Sequence, residues 1–529
     1  MNETLYDVVI AGGGHNGLVA ACYLAQAGLS VLILEKNDVI GGATQSKRVF
    51  SGMDARLSVY SYLISLLPNK ILSDLGIALE LRRRSTASYT PEERGGKHLG
   101  LVISNESEQV TRQSFQNLTG GEREHQGYRL LQDQLDIVAR KVWPTLLAPL
   151  DTKEKLRNAF SPGKERATWN AIFEQPLGAM IEAHLADDLV RGAVFTDAKI
   201  SVPTHPHDPT LLQNRCFLYH IIGQGTGEWC VPVGGMGALV DALMAKARSL
   251  GVTIQTRAEV KAVDHGAAKS AVIFAQEGKE SAVDARYVLF NTSSDIANRC
   301  LPGAFAEEQV EGSVFKINML LRRLPRVKAK GVTSKDAFSG TFHIYEGYEH
   351  MNASYRRSLG GVDFENLHAT PLPGEIYCHS LTDPSILSEE LQAQGYHTLT
   401  LFGLDVPYHW FAQNHDAVRE AVLHNYLRGI NDFIDDDIYD CLAVDSDGKP
   451  CVEAKSPLDL EQALGLPRGN IFHGNLSWPF AEREEEVGTW GVETAYENVL
   501  ICGSSAKRGG AVSGIPGHNA AMKVLEMEH

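Results

Sequence analysis

Residues 6–11 (YDVVIA) form a short apolar run without alternation, the pattern of a parallel strand buried on both faces. Small and apolar residues continue at helical spacing over 16–28. A second apolar run, 30–35, stops on Glu35. Together these predict one βαβ unit. The same order of strand, glycine turn and helix returns twice. In "VPVGGMGALVDALMAKARSLGVTIQTRAEVKAV" (231–263) a glycine turn leads into a helix with apolar Leu239, Leu243 and Ala247. Gly251 ends that helix and the strand Thr253–Thr256 follows. "ARYVLFNTSS" (285–294) reads as a further buried strand. In "ENVLICGSSAKRGGAVSGIPGHNAAMKVLE" (497–526) a strand ends in glycine and a helix begins near His518.

Three like pieces far apart in the chain predict one α/β sheet domain of Rossmann-like type, assembled from the discontinuous segments 1–75, 228–300 and 471–529. Two insertions, 76–227 and 301–470, are expected to form a mixed α+β substrate domain. The first has helical patterning, for example over 126–147 and 177–192. The second mixes strands in "SVFKINMLLRR" and "YHTLTLFGLDV" with helices near 415–433. On the first of those strands Lys316 and Asn318 alternate with Phe315, Ile317 and Met319, so one face is polar and either lines a pocket or meets water.

Composition narrows the function. At 529 residues the chain exceeds one ordinary core, and 43% apolar with 22% charged residues is globular. A formal net charge of −16 argues against nucleic acid as a partner and offers no electrostatic pull toward anionic lipid. Eight cysteines occur without a C-x-x-C pair, which disfavours a dithiol–flavin reductase and suggests buried thiols in a reducing compartment. Leu18–Leu34 is too short and too interrupted to span a membrane, and no basic segment precedes it. A cytoplasmic protein is expected, with peripheral membrane contact left open. The acidic runs "IDDDIYD" and "EREEEV" read as solvated faces, and His205 with His207 lacks a third ligand, so no metal is expected.

The candidate chemistry lies in the glycines. Gly12, Gly14 and Gly17 supply G-x-G-x-x-G after a strand and into a helix: a tight turn, an open approach for a pyrophosphate, and close packing of helix on strand. Glu35 can accept from ribose hydroxyls and would repel a 2′-phosphate. Gly41-Gly42 extends the cradle, and the remote turn at 500–517 offers more backbone N–H groups. Both favour FAD over NAD. His473 is a candidate proton acceptor or a structural histidine. Arg508 would stabilise negative charge or anchor backbone. Tyr60 and Tyr62 lie in an apolar segment near the edge of the FAD domain, where core packing is the default reading.

"AGGGHNGL" (11–18), "RLSVYSYLISLLP" (56–68), "VPVGGMGAL" (231–239), "GNIFHGNLSW" (469–478) and "CGSSAKRGGAVSGIPGHNAA" (502–521) occur in family order. In these segments the chain resembles the phytoene dehydrogenase-like FAD oxidoreductases, near the amine oxidases and retinol saturases. It is most similar to the subgroup of pyridine nucleotide-disulfide oxidoreductase domain proteins. The resemblance implies that Gly12, Gly14, His15, Asn16 and Gly17 hold the pyrophosphate, Glu35 and Lys36 the adenosine ribose, and Gly41, Gly42 and Ala43 the ribityl side. It places the Val260 backbone at adenine, Gly503 and Ser504 at the second phosphate, and Gly514, Ile515 and Pro516 near the isoalloxazine. Two departures stand out: Lys507-Arg508 where relatives often carry His-Pro, and Trp478-Pro479-Phe480 where many have a glutamine. The implied activity is dehydrogenation or desaturation of a largely apolar, isoprenoid- or acyl-like small molecule, with oxygen, a quinone or another acceptor reoxidising the flavin. The alternatives are an FAD amine oxidase and a non-enzymatic prenyl-lipid binder of the Rab GDP-dissociation-inhibitor type.

Overall fold

In the computed structural model, which describes residues 5–305 and 310–528, two seven-stranded sheets carry the molecule. The first opens with β1 (Leu5–Ala11), α1 (His15–Gln26) and β2 (Val31–Leu34). β1 pairs in parallel with β2 and with the strand Lys279–Phe290. Thr253–Gln255 adds beyond β2, and Val499–Ile501 pairs in parallel beside the end of Lys279–Phe290. The other half of Lys279–Phe290 turns away into an antiparallel meander with Ser270–Gln276 and Ala258–Asp264. A strand at Val499–Ile501 thus completes a sheet begun at Leu5–Ala11. α1 has no polar face over its first ten residues, all of them buried. It packs on the C-terminal helix Ile515–Met527, where a side chain at Gly517 would run into the Asn16 carbonyl.

The second sheet runs, in order, Val452–Lys455, Phe315–Leu321, His397–Gly403, Gly374–Tyr377, Thr341–Ile344, Thr86–Arg94 and Lys97–Ser104. Both insertions therefore contribute strands to one sheet. The hairpin at 86–104 is absent from the sequence expectation, because Glu92, Glu93, Arg94 and Lys97 break its alternation. Gly95 and Gly96, both at positive φ, make its two-residue turn. One face of this sheet is apolar: Phe315, Ile317, Met319, Leu399, Leu401 and Ile376 pack on the helix His415–Asn431. The other face carries polar side chains in register. Lys316, Phe402, Glu375 and His343 form one row across four strands, and Asn318, Thr400, Tyr377 and Thr341 form the next.

That polar face does not meet water. Lys316 and Asn318 are each 1% exposed, and Glu375 and His343 are buried with them. Helical patterning over 126–147 and 177–192 appears as Arg123–Val142, Leu177–His184 and Asp188–Phe195. The break in the second segment follows from Asp187, whose carboxylate accepts from the Leu189 and Val190 amides and starts a new helix. All eight cysteines are free thiols, seven of them buried. No helix among the described residues is long and apolar enough to cross a membrane; Leu18–Leu34 is α1 and β2.

Candidate active site

The turn Gly12–Gly14 between β1 and α1 is held from three sides. Asn291, immediately after the strand Lys279–Phe290, donates from Nδ2 to the carbonyls of Gly12 (3.1 Å) and Gly14 (3.3 Å). A Cβ on Gly17 would lie 2.7 Å from both Asn291 Nδ2 and the Gly12 carbonyl oxygen. Glu35, 5% exposed at the end of β2, accepts from the Gly13 amide at 2.8 Å and from the Asn37 amide at 2.9 Å. The Gly41 amide donates to the Gly13 carbonyl at 2.9 Å.

A groove of about 650 Å³ runs over this turn. Gly12, Gly14, His15, Asn16, Glu35 and Lys36 line it, together with Gly42, Ala43, Val260 and Ser504. Gly17, Gly41 and Gly503 lie behind and shape it; a Cβ on Gly503 would come within 3.2 Å of Asn291. The two ends of the chain therefore meet at Asn291. The donor set suits a pyrophosphate. The N-cap of α1 is Gly14, with no side-chain cap and no acid in the first turn, which leaves the positive helix end uncompensated. His15 Nε2 and Asn16 Oδ1 are buried there without a protein partner. An FAD diphosphate fits this cradle.

At His15, Ala43, Leu466, His473 and Ser504 the groove passes into a second cavity of about 130 Å³. Aromatic rings dominate this chamber. Tyr62 lies 4.4 Å from the Phe402 ring and is stacked on Trp229 at 6.2 Å; Tyr60 and Phe472 add further rings. The turn Gly509–Val512 forms another wall. Lys316 enters from the sheet, with Nζ donating to the Ser58 carbonyl (2.8 Å) and the Ser61 carbonyl (3.3 Å), 4.8 Å from the Phe402 ring centre. Burial drives its pKa well below the ordinary lysine value.

Beyond Tyr62, Leu63, Ile200, His220 and Trp229, which line both, the chamber continues into an outer cavity of about 430 Å³. Here the ionisable row reaches its far end. His343, Glu346 and Glu375 bring a nitrogen and two carboxylate oxygens within 4.8 Å of one another. Burial and then the Glu346 charge raise the Glu375 carboxyl to about 7, while it accepts from Thr196 Oγ1 (3.0 Å) and from the Tyr377 hydroxyl. Burial opposes charge on His343, but the Glu346 carboxylate 2.7 Å away prevails and its pKa is raised.

Several sequence-stated candidates sit differently from expectation. His473 lines the groove and the chamber, but burial pushes its pKa down to about 4, so it is neutral near pH 7 and lies outside the range expected of it. His15 falls to about 4 for the same reason, with the neighbouring His473 contributing. Arg508 is 1% exposed and is an anchor. Its guanidinium donates to the carbonyls of Thr145, Ala148 and Trp490, at 3.0, 2.6 and 2.8 Å. It lines neither the groove nor the chamber. Gly514, Ile515 and Pro516 start the C-terminal helix one step behind the chamber wall, which is made by Gly509–Val512. The sequence reading missed Asn291, Glu375, His343 and Arg84. The only signal for Glu375 and His343 was a polar residue at alternate positions of "TFHI" and "GEIY".

Comparison with known proteins follows the same outline. The family of flavin-containing amine oxidoreductases matches residues 17–348. An uncharacterised protein of Mycobacterium tuberculosis is 42% identical over 98% of this chain and 97% of its own length. Pyridine nucleotide-disulfide oxidoreductase domain-containing protein 2 of Mus musculus is 28% identical over 98% of this chain and 93% of its own. Among solved structures, wild-type putrescine oxidase bound to putrescine superposes with a TM-score of 0.55 at 16% identity, covering 99% of both chains.

Proposed function

The chain belongs to the family of flavin-containing amine oxidoreductases, and from that premise we propose that it uses FAD to dehydrogenate a largely apolar, isoprenoid- or acyl-like small molecule held in the aromatic chamber. One observation carries this reading: groove and chamber share the residues His15, Ala43, Leu466, His473 and Ser504, so a molecule in the chamber abuts whatever the groove holds. FAD, when bound, accepts a hydride or its equivalent from an adjacent carbon. Gly12, Gly14 and the start of α1 would hold its diphosphate, and Glu35 the adenosine ribose. The apolar walls exclude water and orient the substrate. Desaturation also releases a proton. A neutral Lys316 amine has two hydrogens, given to Ser58 and Ser61, and keeps one lone pair that can take that proton.

A second reading, oxidation of a C–N bond, draws support from the ring cluster of Tyr62, Phe402 and Trp229, which suits a cation or an amine. Anaerobic mixing of the flavoprotein with two substrate panels separates the readings. Bleaching of oxidised flavin by long-chain acyl or isoprenoid donors and not by amines is expected, and Lys316→Met should keep the colour but lose at least tenfold in bleaching rate. Bleaching by amines alone, with peroxide released in air, would transfer the assignment to amine oxidation. Protein that stays colourless after FAD addition would sink both and return the prenyl-lipid binder.

A further inference from the structure

Among the described residues, buried charges meet either an opposite charge or a set of backbone partners, as Arg508 meets three carbonyls; Arg84 in the outer cavity has neither. Lys199 meets Asp405 at 2.7 Å, and His343 meets Glu346 at 2.7 Å. Arg84, 8% exposed, has no carboxylate within ion-pair distance among the described residues. Its one side-chain partner among the described residues is the Thr341 hydroxyl, which accepts from Nη1 at 2.9 Å, and its Nε is buried with no partner. Its backbone is fixed, since the Arg84 carbonyl accepts from Asn105 Nδ2 at 2.9 Å. A buried guanidinium without a counter-charge is costly unless a ligand supplies one.

The surroundings select the sign and kind of that ligand. Arg84 lines the outer cavity with Tyr62, whose hydroxyl can donate to an anion, and with Tyr377, whose hydroxyl is already given to Glu375. Glu375 nearby is already satisfied by Thr196 and Tyr377, and Glu346 by His343. Asp197 lines the same cavity but is only partly buried. Arg84 is thus the buried cation of this cavity with hydrogen-bonding capacity to spare, and a planar guanidinium matches a carboxylate in a two-pronged contact. Tyr62 and Trp229 border both cavities, so a ligand anchored at Arg84 extends its body into the aromatic chamber.

We propose that Arg84 forms a carboxylate-binding subsite that anchors the acidic head of the substrate while its apolar body lies in the aromatic chamber. This rests on the proposed flavin-dependent dehydrogenation and narrows its substrate to organic acids. The test uses the purified protein with added FAD and three probes of matched size: phenylacetate, phenylacetamide and phenethylamine. Affinity is read by calorimetry, which needs no flavin, and by the flavin spectrum. Phenylacetate should bind at least tenfold more tightly than the amide. Arg84→Gln should erase that ratio while leaving amide affinity unchanged, and Arg84→Lys should retain part of it. Unchanged amide binding and an unchanged melting curve in Arg84→Gln establish that the variant is folded. The proposal is overturned if the acid and amide bind alike, if phenylacetate fails to bind, if the preference survives Arg84→Gln, or if phenethylamine binds best and loses its advantage in Glu375→Gln. A colourless protein that still prefers the acid would refute the flavin reading alone.

Discussion

The cradle around Gly12 and the inward face of the second sheet solve the same problem by opposite means. Both must present polar groups inside a protein. The cradle uses backbone amides and carbonyls, held by the neutral side chain of Asn291 and by Glu35. The sheet face uses ionisable side chains, Lys316, Glu375 and His343, laid in one row by strand register. Backbone groups carry fixed partial charges that do not titrate. Side chains set in a row can change charge with pH and with ligand. The first arrangement suits a part that every turnover needs unchanged; the second suits recognition and proton movement.

Substitutions can break this contrast at either end. The largest effect is expected from Gly17→Val: its Cβ has no room against the Gly12 carbonyl, so the protein should lose flavin colour and about 3 kcal/mol of stability. Retained colour would mean the turn tolerates movement. Asn291→Ala should come next. It leaves two carbonyls without their donor, at about 1–3 kcal/mol, and should weaken FAD retention roughly tenfold by dialysis. Glu375→Gln should leave colour intact and alter only pH dependence. A carboxyl raised to about 7 contributes stability that is present below its ordinary value of 4.5 and fades as pH rises toward 7. The melting temperature of the wild type should therefore fall across that window, and that of Glu375→Gln should fall less. Smallest is His473→Asn, silent at neutral pH. Histidines lowered to about 4 cost stability as pH drops from 6.5 toward 4, so this variant should lose less on acidification; an identical acid limb would rule the burial effect out.

The contrast also explains what could be read from the chain. A cradle that needs glycine at fixed spacing, and an acid at the end of the next strand, leaves a pattern few other structures require, so Gly12, Gly14, Gly17 and Glu35 were legible. Asn291 was not, because one asparagine after an apolar strand looks like any turn residue. Glu375 and His343 lie on four-residue strands about thirty positions apart. Each alone is an ordinary polar residue; only the pairing of Gly374–Tyr377 with Thr341–Ile344 makes them neighbours. Arg508 stands just before a glycine pair, which attracted a chemical role, but its length lets it reach carbonyls more than 350 residues away in sequence. Arg84 gave no signal at all beside Arg82 and Arg83, since burial is what distinguishes it.

The placement of Val499–Ile501 beside Phe290 has a temporal consequence. During synthesis the β1–α1–β2 unit emerges well over four hundred residues before the strand and helix that flank it. At roughly 5–20 residues per second that interval is about half a minute or more. For all of it the apolar surface of α1 lacks its partner helix Ile515–Met527, so a nascent chain stalled short of residue 499 should be a client for chaperones and proteases, and FAD supplied during translation can act only once that helix has emerged.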